Sequence, residues 1–170
     1  MAEGGGCRLC LVVGAGAGVA VIDAVPPEAD LACVLLRAGP AHEARRAAAA
    51  LCRAVQARGA AFLVADDTGL AAAVGAEGVH LADPAGYAAA RAALGPEAIV
   101  GVGCGRSRHA AMEAGEAGAD YVAFTIGGDE DLELVRDWST FTIVPCVAMG
   151  DVGAHNAAAL AEAGADFIAV

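Results

Sequence analysis

The sequence predicts an α/β protein of the (β/α)8 class, a TIM barrel, without a helix after its eighth strand. Short apolar runs alternate with Ala-rich helical segments along the whole chain, and one short motif recurs at a regular interval. The apolar runs are almost continuous, which is typical of parallel strands covered on both faces. Eight such runs joined by helices match the number that closes a barrel. A doubly wound open sheet is the competing architecture.

The repeating unit is clearest between Ala60 and Asp83, which hold a strand, a turn, a helix and a second strand. The first strand, Ala61–Ala65, stops at Asp66 and Asp67, where a helix needs an N-cap. The Ala-rich segment that follows favours helix and ends at Gly75, where a left-handed residue is expected. The two aspartates therefore have two interpretations: helix caps, or functional groups at the carboxyl end of a strand.

The same unit can be followed through the chain in order. Strands are predicted at Arg8–Val13, Leu31–Leu36, Ala61–Ala65, Val79–Leu81, Ile99–Gly103, Tyr121–Phe124, Ile143–Ala148 and Phe167–Val170. Helices are predicted at Glu43–Arg58, Leu70–Val74, Tyr87–Leu94, His109–Ala117, Leu132–Trp138 and Asn156–Ala163. Residues 1–6 are Gly-rich and are predicted to form a flexible tail, and residues 7–170 a single barrel domain.

An internal repeat supports this period. The segment Gly75-Ala76-Glu77 before one strand returns as Gly118-Ala119-Asp120 and as Gly164-Ala165-Asp166, each time about two strand–helix units further on. Each copy places a helix-ending glycine, a small residue and an acid directly before a strand, so local turn chemistry explains it.

The glycines between Gly14 and Gly18 resemble part of a dinucleotide-binding fingerprint. That fingerprint needs a third glycine where this chain has Val19, and an acid at the end of the second strand where it has Arg37. A flexible loop is therefore favoured over a dinucleotide site.

Composition excludes two classes of partner. The net charge is −11, with 21 acidic against 10 basic residues, so binding to a nucleic-acid backbone is not expected. The longest apolar stretch, Leu9–Val25, is broken by glycines and Asp23, so no membrane span is expected either. With 58% hydrophobic residues and a mean hydropathy of +0.57, the chain can bury one large core. We expect a cytoplasmic protein.

The six cysteines agree with that compartment. Cys10, Cys33 and Cys146 fall in apolar runs, where free thiols act as small hydrophobic groups. Cys7 and Cys10 have the spacing of a metal knuckle, but no second pair matches them, and residues three apart on a strand point to opposite faces. Cys104, at a strand end, is predicted to be the exposed and reactive thiol.

At this point several segments carry a family resemblance, over about residues 31 to 170. They are Phe62–Asp67, Gly78–Leu81, Ile99–Val102, Gly118–Val122, Val144–Gly150 and Asn156 with Gly164–Asp166. They resemble the thiamine-phosphate synthase and thiazole tautomerase family. The resemblance implies a (β/α)8 barrel that joins hydroxymethylpyrimidine diphosphate to thiazole phosphate with loss of pyrophosphate. It also implies Mg²⁺ between carboxylates and the diphosphate, cationic side chains on the leaving group, and backbone amides for the second phosphate.

The resemblance assigns roles to six positions of this chain. The resemblance implies that Asp66 is the family's metal-binding aspartate and that Asp83 replaces its second metal carboxylate. Small phosphorylated or heterocyclic ligands would be bound by Arg37, His80, Gly103 and Gly150, with Arg37 on the diphosphate. No catalytic residue is assigned.

Other positions depart from the family pattern. Leu35 and Gly39 replace a glutamine and a lysine beside Arg37, and the lysine of the loop after Phe124 is missing. Gly103 replaces a serine, Asp67 stands where an arginine belongs, and Asp151 would lie against thiazole phosphate. Asp129–Asp131 has two interpretations: acids of the candidate rim, or a solvated helix start.

Two hypotheses follow. The first is a Mg²⁺-dependent thiamine-phosphate synthase-like enzyme with a degenerate active site. The second is a non-catalytic barrel derived from this family, which binds a small ligand or oligomerises.

The chain ends within its eighth strand, at Val170. A barrel normally covers that strand with a helix, so apolar surface outside the first and eighth strands would face water. We therefore expect either a longer natural chain or a second subunit over this region, most simply in a two-fold homodimer.

Overall fold

The computed structural model describes residues 6–37 and 42–170 of the chain. Eight parallel strands form a closed barrel in which each pairs with the next in sequence, and the last pairs with the first. The strands are β1 Arg8–Gly14, β2 Leu31–Arg37, β3 Ala61–Ala65, β4 Gly78–Leu81, β5 Ile99–Gly103, β6 Tyr121–Ile126, β7 Cys146–Gly150 and β8 Phe167–Ala169. The predicted fold class is confirmed. The open sheet is excluded, because β1 pairs with both β2 and β8.

Seven α-helices accompany the strands in the described residues. They are α1 Ala20–Asp23, α2 His42–Ala57, α3 Thr68–Val74, α4 Tyr87–Leu94, α5 Arg108–Glu116, α6 Asp131–Phe141 and α7 Ala157–Glu162, with a short 3-10 helix at Pro84–Gly86. The six predicted helices are present, whereas α1, which follows the glycine-rich loop, was not predicted. Within residues 6–37 and 42–170 no helix is long and apolar enough to cross a membrane.

The start of β7 differs from the prediction. The apolar run suggests a strand from Ile143, but the strand begins at Cys146. Pro145 has no N–H to donate to a strand ladder, so pairing starts only after it. Ile143 is 99% exposed, and the carbonyl of Val144 accepts a hydrogen bond from Trp138 Nε1 (2.8 Å) instead.

The strands separate two kinds of core. In β2, Leu35 points into the barrel, while Val34 and Leu36 pack against the surrounding helices. The barrel interior is lined mostly by small and aliphatic side chains: Cys10, Leu35, Leu63, Ala123, Val147 and Ala169. Because both faces are covered, the strands are apolar almost throughout, which explains the continuous runs in the sequence.

The internal repeat has one structural role in all three copies. Its glycines, Gly75, Gly118 and Gly164, have positive φ angles of 73°, 95° and 102°. Its acids accept backbone N–H groups next to or within the strand before: Glu77 from Phe62 (2.7 Å), Asp120 from Val100 (2.8 Å) and Asp166 from Cys146 (2.8 Å). These bonds lie at the amino ends of the strands, the end of a barrel that serves stability.

Large hydrophobic side chains are exposed in two places within the described residues. Met112 (47%), Phe141 (82%) and Ile143 (99%) lie on or just after α5 and α6. Val170, after β8, is 45% exposed. The apolar surface is therefore greater beside α5 and α6 than beside β8, and the homodimer stays a prediction.

Candidate functional site

Three of the predicted charged residues lie along one arc of the carboxyl-terminal rim. Arg37 is the last residue of β2, Asp66 follows β3 directly, and Asp83 follows β4. Because β2, β3 and β4 are neighbours in the barrel, their ends bring one cation and two carboxylates to the same side. This is the face on which barrel enzymes place their sites.

The structure distinguishes the two adjacent aspartates. Asp67 is the N-cap of α3, because its Oδ1 accepts the backbone N–H of Leu70 (2.7 Å). Asp66 does not cap that helix. Its φ angle is +54°, the only positive value at a non-glycine residue in the described chain, and its Oδ1 accepts the N–H of Ala82 after β4 (2.8 Å). The strained backbone of Asp66 directs its carboxylate toward the neighbouring strand end.

Asp66 and Asp83 line one cleft of about 460 Å³ between the loops that follow β3 and β4. Asp83 Oδ1 accepts the N–H of Ala85 and caps the short 3-10 helix (2.7 Å). Each carboxylate therefore has one oxygen in a backbone hydrogen bond. Within the described residues no group of three or more His, Cys, Asp or Glu side chains is arranged to hold a metal ion.

Arg37 differs from the other arginines near this rim. Arg106 Nε pairs with Asp131 Oδ1 (2.6 Å), and Arg108 pairs with Asp137. Arg37 is exposed, and among the described side chains, those of residues 6–37 and 47–170, no carboxylate lies within ion-pair distance of it. Arg37 thus presents an exposed positive charge at the rim, whereas the charges of Arg106 and Arg108 are neutralised by their carboxylate partners.

His80 lies inside the barrel in β4 and is only 6% exposed. Its Nδ1 is 3.0 Å from the hydroxyl of Tyr121, and the two rings are stacked with centroids 5.8 Å apart. Burial lowers the pKa of His80; Asp66 acts against this shift and Arg37 adds to it. His80 is thus a hydrogen-bonded neutral group at neutral pH, within electrostatic reach of both rim residues.

The lowered pKa of His80 predicts a loss of stability in mild acid. Below about pH 6.5 the unfolded chain binds a proton at this histidine while the folded protein does not, until the pH reaches the lower folded pKa. Stability should therefore fall with pH across that window. Between about pH 7.5 and about pH 5.5, urea unfolding should show a loss up to about 1.4 kcal/mol larger for the wild type than for His80→Asn. Parallel pH profiles for the two proteins would contradict this assignment.

Packing alone explains why glycine is present at two of the predicted binding positions. At Gly150, which has φ +108°, a Cβ atom would lie 2.7 Å from the carbonyl oxygen of Ile126. At Gly103 it would lie 3.1 Å from the carbonyl oxygen of Ala82. Their role in substrate binding stays a prediction.

In the loop between β6 and α6, the backbone amides bind a carboxylate of the chain itself. Asp131 is 2% exposed. Its Oδ2 accepts the N–H groups of Gly127 (2.8 Å) and Gly128 (3.3 Å), while Oδ1 meets Arg106. Two backbone amides and one guanidinium, groups that could bind an anionic ligand, therefore already bind a carboxylate of the chain itself. Asp131 does begin α6, but the interpretation of it as a solvated residue was wrong.

The prediction for Cys104 was also wrong. Its side chain is 5% exposed, and burial raises its pKa to about 11. A protonated, buried thiol is a poor nucleophile.

Sequence analysis missed Tyr121 as the partner of His80. The two residues are 41 positions apart and meet only in the closed barrel. One signal was present: Gly101 leaves the space that the Tyr121 ring fills, since a Cβ there would lie 1.9 Å from the ring. An inward aromatic residue opposite a strand glycine indicates such a pairing.

The closed barrel and its charged carboxyl-terminal rim define a (β/α)8 protein of the class that binds ligands at that face. Residues 9–170 match the family described as thiamine monophosphate synthase. The chain belongs to this family.

Similar sequences and a similar solved structure agree with this family assignment. The chain is 45% identical over 153 residues to a thiamine-phosphate synthase of Rhodospirillum centenum, covering 83% of this chain and 74% of the relative. It is 48% identical over 141 residues to a thiamine-phosphate synthase of Erythrobacter litoralis, covering 76% of this chain and 66% of the relative. Among solved structures, a thiamine phosphate pyrophosphorylase from Pyrococcus furiosus superposes with a TM-score of 0.82 at 25% identity, over 96% of this chain and 84% of the other.

Proposed function

We propose that the protein binds hydroxymethylpyrimidine diphosphate and thiazole phosphate at its carboxyl-terminal rim and couples them, with loss of pyrophosphate. The observation that carries this proposal is the placement of Arg37, Asp66 and Asp83 at the ends of three neighbouring strands. One cation and two carboxylates suit a metal-bound diphosphate. Family membership, with relatives named thiamine-phosphate synthase, supports the same chemistry.

The two carboxylates fit Mg²⁺. This ion usually binds one or two protein carboxylates together with substrate phosphates and water, so a third protein carboxylate is not required. Asp66 and Asp83 line the same cleft, and each has an oxygen outside the backbone hydrogen bond described above. When bound, Mg²⁺ would neutralise charge on the diphosphate.

Arg37 would stabilise the diphosphate as it leaves. As the bond to the diphosphate breaks, negative charge grows on its oxygens, and a fixed guanidinium stabilises that charge without reorganisation of solvent. The Arg37 side chain belongs to the end of a strand paired on both sides, which gives it a rigid base. His80 lies inside the barrel as a neutral, buried group within electrostatic reach of Arg37.

Ligand-induced stabilisation tests this proposal. Mg²⁺ with pyrophosphate, and separately thiazole phosphate, should raise the melting temperature, by about 5–10 °C at a hundred times the dissociation constant. Formation of thiamine phosphate from the two substrates should accompany binding. Absence of both a thermal shift and product would overturn the proposal.

The pair Asp66→Asn and Asp67→Asn locates the metal carboxylate. The two variants each remove one negative charge, at adjacent positions. Asparagine can adopt the left-handed backbone conformation of Asp66, and its side-chain oxygen can still accept the N–H of Ala82. Asp66→Asn should lose the Mg²⁺-dependent shift, whereas Asp67→Asn should keep it, because Asp67 serves α3 as its cap. Equal behaviour of the two variants would exclude Asp66 as the metal ligand.

A second function is favoured by one observation. Asp131 already occupies the amides of Gly127 and Gly128, and Arg106 with them, so fewer groups are left for phosphate. The alternative is a non-catalytic family member that binds a small ligand. Ligand-induced stabilisation without product would support it over the synthase.

A further inference from the structure

The opposite end of the barrel contains two cysteines that the site does not use. Cys10 in β1 and Cys33 in β2 are directly paired across the two strands, and their Sγ atoms are 2.9 Å apart. Both belong to the barrel interior. Cys7, three residues before Cys10, packs on the outside of the barrel, so the spacing that suggested a metal knuckle does not bring Cys7 and Cys10 together.

The geometry of this pair favours a disulfide. Residues paired across neighbouring strands have Cα atoms about 4.8 Å apart, which lies inside the range that disulfides span. The two sulfur atoms need to approach by only about 0.9 Å to reach bonding distance, about 2.05 Å. Small rotations of the two side chains can supply this movement without a shift of the strands.

An oxidant can reach the pair. Cys10 and Cys33 line a cavity of about 240 Å³ at the amino-terminal mouth of the barrel, where Tyr121 and Phe167 form part of the wall. Arg8 also lines this cavity, and its side chain is 43% exposed, so the cavity lies at the surface. The volume is several times the roughly 30 Å³ that a water molecule occupies in the liquid, which leaves room for a peroxide.

We propose that Cys10 and Cys33 form a redox-active dithiol, which a peroxide or a small disulfide converts reversibly into a disulfide between β1 and β2. The proposal concerns the end of the barrel opposite the candidate site and does not depend on the proposed function. Transient disulfides of this kind are typical of redox sensing in reducing compartments.

The local charges indicate which sulfur reacts first. The hydrogen bond with Cys10 lowers the pKa of Cys33, burial opposes this effect, and Arg8 adds to the lowering. The same contact, together with burial, raises the pKa of Cys10. Cys33 is also the more exposed of the two. Asp30, which pairs with Arg8 (2.9 Å), is the nearby acid that moderates this charge.

The reaction is balanced with hydrogen peroxide. The Cys33 thiolate attacks one peroxide oxygen, the O–O bond breaks, and sulfenic acid and hydroxide form. The Cys10 sulfur then attacks the Cys33 sulfur, the S–O bond breaks, and the Cys10 proton leaves with the oxygen as water. Two electrons pass from the two sulfurs to the peroxide, and a dithiol such as dithiothreitol returns them.

Peptide mapping of the whole protein tests the pair. After full reduction and treatment with hydrogen peroxide, the thiol count of the denatured protein should fall from six to four. One cross-linked peptide should join Cys10 to Cys33, and dithiothreitol should restore all six thiols. A reduced Cys10–Cys33 pair after oxidation, or a link to a different cysteine, would overturn the proposal.

Single substitutions test the order of attack. Cys10→Ser should accumulate a sulfenic acid at Cys33 that dimedone traps, whereas Cys33→Ser should give no adduct at Cys10. Cys7→Ser is the matched control and should still lose two thiols. Wild-type mapping needs no variant, so it decides the proposal even where a serine variant fails to fold. Equal dimedone labelling of the two variants would contradict the assignment of Cys33 as the attacking sulfur.

Discussion

Replacement of Gly78 by alanine is expected to lower the free energy of unfolding by more than about 4 kcal/mol. Gly78 opens β4 and is paired with Ile99 of β5, and a Cβ atom there would lie 1.8 Å from the Ile99 carbonyl oxygen. No rotamer relieves this contact, because the obstacle is backbone, so the two strands must separate. Such a loss is a large share of the about 5–15 kcal/mol that stabilises a typical domain.

Thermal and urea unfolding measure this effect. A loss of this size lowers the melting temperature by about 8–16 °C in a protein of this length. Gly115→Ala is the control: it lies in α5, and a Cβ there would make ordinary contacts of 3.6 Å with Val144 and 3.8 Å with Trp138. Alanine favours helix over glycine by about 0.5–1 kcal/mol, so this variant should be as stable as the wild type or slightly more so. Similar melting of the two variants would refute the steric argument.

The fold was predictable because its signals are local. Each strand is a short apolar run that stops at polar or turn residues, and each repeat glycine has the positive φ that the turn chemistry required. The predicted end of a strand was wrong where a single residue decides the strand pairing. Pro145 delayed β7, although the apolar run around it reads as one strand.

The candidate site was predictable only in position. Counting strands places Arg37, Asp66 and Asp83 on one rim. It does not show which carboxylate oxygens already accept a backbone hydrogen bond. The separation of Asp66 from the cap residue Asp67 depends on one left-handed φ angle, and no sequence rule assigns that conformation to an aspartate.

The buried polar pairs were missed in the sequence for a different reason. His80 meets Tyr121, and Cys10 meets Cys33, only because the closed barrel brings their strands together. Asp131 reads as a surface acid in a run of three, yet the turn after β6 folds it inward onto two amides. Burial of a charge is favourable where partners satisfy it, and those partners are set by loop geometry.

Arg37→Ala is expected to reduce kcat/KM for thiamine phosphate formation by about 10²–10³, the usual effect of losing one preorganised donor to developing negative charge. In the described chain the rim arginines Arg106 and Arg108 are held by carboxylates, so neither replaces the missing charge. The same variant should lose most of the thermal shift with Mg²⁺ and pyrophosphate. Steady-state kinetics and melting curves measure the two effects on one protein sample.

Two further variants separate a local role of Arg37 from a general effect of charge. Arg53→Ala removes an equal charge from the exposed side of α2, outside the barrel, and should leave both measurements unchanged. Arg37→Lys keeps the charge but loses the bidentate geometry that suits phosphate, so it should recover part of the thermal shift and less of the rate. Arg37 stabilises the leaving group only if this order holds. An Arg53→Ala variant as impaired as Arg37→Ala would reduce the effect to net charge, because long-range electrostatics would then account for both.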